Sequence, residues 1–177
     1  MDIKQDFFQL YGIPRCYSVD LSQLQNRHRQ LQRQFHPDRY VTATTTDQRL
    51  AVQVTAYLNQ AFKTLQDPVA RGVYLLELVG LKPLAANKTQ MPTDFLLQQI
   101  FLRESIDDLP KSVNLDQDIS ELFDRLQQQY KAIGIEFAST YGNGELSKAE
   151  VAIRKLQFMG RLQQQLQLQE EVLMELK

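Results

Sequence analysis

The tripeptide His36-Pro37-Asp38 sets an imidazole and a carboxylate on either side of a residue that cannot sit inside a helix. Such a pair can act as a catalytic couple or as two ligands of a metal ion. It can also serve recognition, because a carboxylate fixed in a turn accepts charge-assisted hydrogen bonds from an arginine or backbone amide of a partner. Proline presents it without the entropy cost of a mobile loop. The catalytic reading lacks parts: no third ligand or nucleophile accompanies the pair, and His28 belongs to a different helix face. Cys16, the single cysteine, supplies neither an internal disulfide nor a thiolate cluster. The expectation is a binding protein with no metal, nucleotide or other cofactor of its own, rather than an enzyme.

The element that positions this turn lies just upstream. In LSQLQNRHRQLQRQF, residues Leu21, Leu24, His28, Leu31 and Phe35 recur at spacings of three and four, the period of an amphipathic helix. Asp20 is its expected N-cap, while Pro37 stops it and biases His36 out of the α region. At about 100° per residue, Arg29 and Arg33 project together, away from the Leu24/Leu31/Phe35 face. Arg27 is a third cation in a stretch with no acid between Asp20 and Asp38. Alone this is a solvated polar face. Beside an exposed turn it reads as a basic surface for a partner with an acidic patch. His28 falls within the apolar stripe and is read as a packing residue.

The rest of the N-terminal half is helical by the same test. A short helix near Asp6–Leu10 ends at Tyr11-Gly12, with Pro14 just beyond. After the tripeptide, RYVTATTT reads as a loop. Asp47 is the expected cap of a long helix with the stripe Leu50, Val54, Tyr57, Leu58, Ala61, Phe62 and Leu65. Asp67-Pro68 breaks it, and a further helix reaches Gly80. Residues 81–92 contain two prolines, two alanines and no sustained period, the best candidate for a linker between domains 1–80 and 93–177.

Three more helices are expected beyond the linker. The first, Thr93–Asp108, is ended by Pro110. The second starts near Asn114, with the stripe Ile119, Leu122, Leu126, Tyr130, Ile133 and Phe137, and ends at Tyr141–Gly144. The third starts from a Ser147-x-x-Glu150 capping box. No segment alternates as a strand does, so the fold class is all-α, with a C-terminal helical bundle. The helix Thr93–Asp108 is apolar on two faces. Phe95, Leu102, Ile106 and Leu109 share one; Leu96, Leu97, Ile100 and Phe101 cluster opposite, beside Glu104 and Asp108. Two such faces mean either full burial or an exposed patch kept for a partner, and periodicity does not decide between them. Phe158 lies off the line of Ile153 and Leu156; taken alone, it reads as packing.

Composition bounds the function classes. The chain has 177 residues, 43% hydrophobic and 23% charged, as expected of a globular protein. A net charge of −1 argues against a general nucleic-acid binder. The start MDIKQDFF predicts no secretory leader. No apolar run approaches the ~18 residues of a membrane span. A reducing, cytoplasmic compartment is expected.

The turn and its basic helix resemble the J-domain, the part of J-proteins that engages DnaK-type chaperones. The likeness extends further: FFQLYGIPRCYSVD, LQRQFHPDRY, LNQAFKTLQDPVARGVYLLELVG, DFLLQQIFLRE and AIRKLQFMGRL occur in the order found in the bacterial iron–sulfur co-chaperone family HscB. That resemblance implies an N-terminal J-domain (a helical hairpin plus short helices) and a C-terminal three-helix bundle in an L-shaped arrangement. It also implies binding to the chaperone HscA, with stimulation of its ATPase through His36, Pro37 and Asp38, supported by Arg27, Arg29 and Arg33. The C-terminal domain would bind the scaffold protein IscU through Leu96, Leu97, Ile100, Phe101, Glu104, Asp108 and Phe158, and deliver it for cluster transfer. Phe101 stands where this family commonly has an acid, and His28 where an aromatic is usual. The competing expectations are a self-associating helical scaffold, a J-protein with another client, and a metal-dependent hydrolase built on His36 and Asp38.

Overall fold

The computed structural model describes residues 5–83 and 91–175, and every regular element among them is helical. The chain divides into two compact units, Met1–Gly80 and Leu81–Lys177. Most of the expected linker, residues 84–90, lies outside the described residues. Among those described, no helix is long and apolar enough to cross a membrane.

The first unit holds α1 (Phe7–Tyr11), α2 (Leu21–Phe35), α3 (Thr45–Gln66) and α4 (Pro68–Leu78). Each boundary has a local cause. The Asp6 carboxylate accepts the N–H groups of Phe8 and Gln9, and Gly12 in the left-handed region (φ 64°) ends α1. Asp20 caps α2 as expected, accepting from Ser22 and Gln23. The α3 cap is Thr44 rather than Asp47. Thr44 Oγ1 accepts the Asp47 N–H at 3.2 Å and donates to its carboxylate at 2.7 Å. This reciprocal pair outweighs the weak helix propensity of Thr45 and Thr46, so the helix starts within the expected loop. Asp67 then ends α3 and caps α4, with Pro68 at the first helical position, where its missing N–H costs nothing.

The core of this unit joins Phe8 and Tyr11 of α1, Leu24 and Leu31 of α2, Val54, Leu58, Ala61 and Leu65 of α3, and Leu75 and Leu76 of α4. Of the expected stripes, Phe35, Tyr57 and Phe62 are half-buried, and two residues are exposed: Leu21 at 46% and Leu50 at 48%. Both keep the right helical phase. Leu21 opens α2, and on α3 Leu50 lies at the margin of the buried stripe, which runs through Ala51, Val54, Leu58, Ala61 and Leu65. Arg71 is buried in α4; it donates to the Leu65 carbonyl at 2.7 Å and lies 5.1 Å over the Tyr17 ring. It thus seals the C-terminal end of α3.

The second unit contains α5 (Thr93–Asp107), α6 (Leu115–Gly142) and α7 (Leu146–Glu175). The tight turn at Gly144 (φ 75°) makes α6 and α7 an antiparallel pair. Their seam recurs at spacings of three, four and seven: Ile119, Leu122, Leu126, Ile133 and Phe137 meet Ala149, Ala152, Leu156, Met159, Leu162 and Leu166. Helix α7 begins at Leu146, with the Glu145 carbonyl accepting from Lys148 and Ala149. Ser147 therefore sits inside the first turn and is not the cap, because Gly144 redirects the chain earlier than a Ser147 cap would require. Helix α5 lies against α7, fixed by Phe95, Leu102 and Ile106, and by a Gln165–Asp107 hydrogen bond of 3.0 Å.

Candidate functional site

The first candidate surface is built where α2 ends. His36 takes the extended conformation (φ −61°, ψ 131°) that a following proline imposes, and Pro37–Tyr40 then form a single 3-10 turn. The turn is braced from three directions. His36 Nδ1 accepts the Asp38 N–H at 3.3 Å, Arg39 donates to the Arg33 carbonyl at 3.2 Å, and Thr55 of α3 donates to the Phe35 carbonyl at 3.0 Å. The last two bonds occupy carbonyls that the end of α2 leaves open. The functional groups nevertheless face water. The His36 and Asp38 side chains are 54% and 85% exposed, with Nδ1 3.5 Å from the Asp38 carboxylate. The result is an exposed carboxylate on a backbone already fixed.

Arg29 and Arg33 line a shallow groove together with Gln32, His36 and Arg39. The arginines expected to share a face do so, and they meet the turn. Arg27 does not join them; it reaches along α2 to Gln30 at 3.4 Å. Arg39 is a cation of this groove that the sequence reading passed over. Its signal was adjacency to Asp38, whereas Arg27 was counted by sequence proximity alone. The groove is therefore basic and adjoins the turn that presents the Asp38 carboxylate, suited to a partner surface of mainly acidic character.

His28 is elsewhere, as its place in the apolar stripe implies. It is buried, stacked flat on Phe62 of α3 at 4.1 Å and 11°, with Nδ1 2.7 Å from the Tyr11 hydroxyl. Tyr11 donates its proton to the Leu58 carbonyl at 3.0 Å, so its oxygen accepts from a protonated Nδ1. Burial pushes the imidazole below its ordinary titration range and the Tyr11 phenol upward. His28 thus performs the packing of an aromatic and ties α1, α2 and α3 together. Among the described residues, no group of three His, Cys, Asp or Glu side chains is placed to hold a metal ion.

The second candidate surface is the outer face of α5. Phe95, Leu102, Ile106 and Leu109 are buried, whereas Leu96, Leu97, Ile100 and Phe101 are 40–62% exposed. Of the two possibilities left open by periodicity, full burial and exposed patch, the structure has the patch. Glu104 is exposed beside it, and Asp108 is held by Lys111 at 2.6 Å. Phe158 of α7 is 38% exposed, packed edge-to-face on Phe95 at 6.3 Å and lying under the Arg161 guanidinium at 5.7 Å. It serves packing and surface at once. Lys155 fixes the inner side, donating to the Glu136 carboxylate at 3.0 Å and lying 6.0 Å from the Phe95 ring. Four large apolar side chains in adjacent turns of one helix form a contiguous patch of the kind that marks a protein interface.

Comparison with known proteins finds relatives over nearly the whole chain. The family model described as the HSCB C-terminal oligomerisation domain matches residues 91–167, the stretch that carries α5, α6 and most of α7. Among curated sequences, the co-chaperone protein HscB homolog of Shewanella pealeana is 38% identical over 174 residues, spanning 96% of this chain and 99% of that protein. Co-chaperone protein HscB of Proteus mirabilis is 32% identical over 166 residues, 94% of this chain and 96% of that one. The solved structure of chaperone HscB from Vibrio cholerae superimposes with a TM-score of 0.86 at 29% identity, covering 96% of this chain and 99% of that chain. Human co-chaperone protein HscB shares the fold, with a TM-score of 0.84 at 24% identity over 96% of this chain and 84% of that one. The chain belongs to the HscB family of co-chaperones.

Proposed function

We propose that this co-chaperone couples an iron–sulfur scaffold protein of the IscU type to a DnaK-type chaperone of the HscA type. The first unit acts as the J-domain. Its His36-Pro37-Asp38 turn, with Arg29, Arg33 and Arg39 around it and Arg27 farther along the helix, engages the chaperone and stimulates ATP hydrolysis. The second unit holds the scaffold on Leu96, Leu97, Ile100 and Phe101, with Glu104, Asp108 and Phe158 at the border. Holding client and trigger in one chain raises the client's effective concentration at the chaperone, so each interaction can be weak alone. The work is that of an adaptor in iron–sulfur protein maturation, in the cytoplasm, with the chemistry done by the partners.

The observation that carries this reading is the pairing, in one chain, of a braced and exposed His-Pro-Asp turn with an uncovered apolar face on α5. Steady-state phosphate release by HscA, measured with IscU present and with increasing amounts of this protein, tests it. Saturable stimulation that grows when IscU is added supports the adaptor. Stimulation that ignores IscU points to a J-protein with another client.

A second reading has its own support in the description of the matched family domain as an oligomerisation domain. On that reading the α5 face is covered by another copy of the chain. Sedimentation velocity separates the two, since self-association raises the sedimentation coefficient with concentration in the absence of any partner.

A further inference from the structure

Charge is distributed unevenly along the α5 surface. Residues 95–102, FLLQQIFL, carry no charge at all, whereas residues 103–125 carry seven acids against three bases, a net of −4 in a chain whose total is −1. The acidic stretch runs from the C-terminal half of α5 through the turn Leu109–Lys111 into the first half of α6. Between these elements lies an open groove of about 660 Å³ with the buried Leu109 and Leu122 among its lining. The groove begins one turn below Phe101, because Ser105 lines it and donates its hydroxyl to the Phe101 carbonyl at 2.9 Å. It is therefore continuous with the exposed apolar face.

Structural needs account for only part of this charge. Asp116 and Asp118 stand in the first turn of α6, where the helix dipole favours acids, and Asp118 accepts from Ser112 at 2.5 Å. Asp108 is neutralised by Lys111. Glu121 lies beyond the first turn and, among the described residues, receives the neutral Gln117 amide at 2.9 Å and no cation, while Glu104 is exposed next to the patch. Two cations line the groove: Lys111, which pairs with Asp108, and Arg125, one turn beyond Glu121.

We infer that the protein docked on the α5 face is oriented by charge, its apolar surface on Leu97, Ile100 and Phe101 and a basic edge over the α5–α6 groove, where Glu121 receives a lysine or arginine. The inference rests on the proposal that α5 docks the scaffold, and it adds α6 to that interface. Glu121 and Arg125 then set the affinity in opposite directions, which a purely apolar interface would not require.

The test is titration calorimetry of apo-IscU into the full-length protein and two exposed-site variants, Glu121→Lys and Arg125→Glu, at low and high salt. Circular dichroism of each variant checks the fold. Glu121→Lys is expected to weaken binding about tenfold and Arg125→Glu to strengthen it several-fold, both effects collapsing near 1 M salt, where the screening length is about 3 Å. Variants that both stay within about twofold of the parent, or that move the opposite way, overturn the inference while leaving α5 as the docking face. Failure of the parent protein to bind IscU at all removes that reading and the inference together. A concentration-dependent dimer weakened by Glu121→Lys would identify the occupant as a second copy and overturn it as well.

Discussion

Replacing Leu97, Ile100 and Phe101 together by alanine separates a docking surface from a misjudged core. These side chains are 48%, 52% and 62% exposed. Burying a large apolar side chain completely is worth roughly 1.5–3 kcal/mol, so a partner that covers the open half gains about 1 kcal/mol from each. Three such losses amount to about 3 kcal/mol, or about two orders of magnitude in Kd. The same truncation removes the half already packed within the fold, partly offset by the better helix propensity of alanine. A net cost of about 1–2 kcal/mol lowers Tm by roughly 3–6 °C in a chain of this size. Calorimetric titration with apo-IscU and a thermal melt by circular dichroism read the two quantities separately. Leu102→Ala is the control. At 1% exposure it leaves a cavity, costs roughly 2–5 kcal/mol and should lower Tm more than the triple variant does. Binding within threefold of the parent refutes the docking assignment. A triple variant that melts below Leu102→Ala refutes the reading of the face as free surface.

Three further outcomes follow from the first unit. Because burial lowers the His28 pKa from its ordinary 6.5, the unfolded chain takes up the proton first. The stability His28 contributes is complete above pH 6.5 and declines as pH falls from there toward the folded-state value. Urea melts at pH 5 and 7.5 should show this loss in the parent and a smaller one in His28→Phe, which keeps the stacking on Phe62; equal losses would clear His28. Arg71→Met strands the Leu65 carbonyl and the Tyr17 ring face, and should cost about 2–3 kcal/mol in chemical denaturation; a loss under 0.5 kcal/mol would show that water replaces both contacts. Arg33→Glu reverses a groove charge without touching the core. It should raise the amount of protein needed for half-maximal chaperone stimulation, more at 50 mM than at 300 mM salt, and a salt-independent change would point away from electrostatic steering.

What was legible in the sequence was local. Proline at position 37 dictates the break after Phe35 whatever surrounds it, and the alternation of apolar residues places His28 in the core without knowledge of Phe62. Features decided by tertiary neighbours were not legible. Leu50 joins the apolar stripe on the helical wheel, yet it is Ala51 beside it that is buried, and Leu50 stands at the open margin of the stripe. Periodicity exposed the two apolar faces of α5, but only the packing of α7 against Phe95, Leu102 and Ile106 shows which one is covered. Thr44 was obscured because β-branched residues argue against a helix start, while its hydroxyl pairing with Asp47 argues for one at shorter range. Arg39 escaped notice because its place in the basic groove depends on the 3-10 turn, which carries it back to the end of α2.

The central claim is that one exposed carboxylate triggers the partner chaperone. Asp38→Asn keeps the shape of a side chain that is 85% exposed, so it should leave the thermal melt and IscU affinity of the parent intact, with stability changing by less than about 0.5 kcal/mol. The measurement is steady-state ATP hydrolysis by HscA in the presence of IscU, with the parent protein or with Asp38→Asn added at matched concentrations. The account predicts stimulation by the parent and none above background by the variant. Equal stimulation by the two would contradict it.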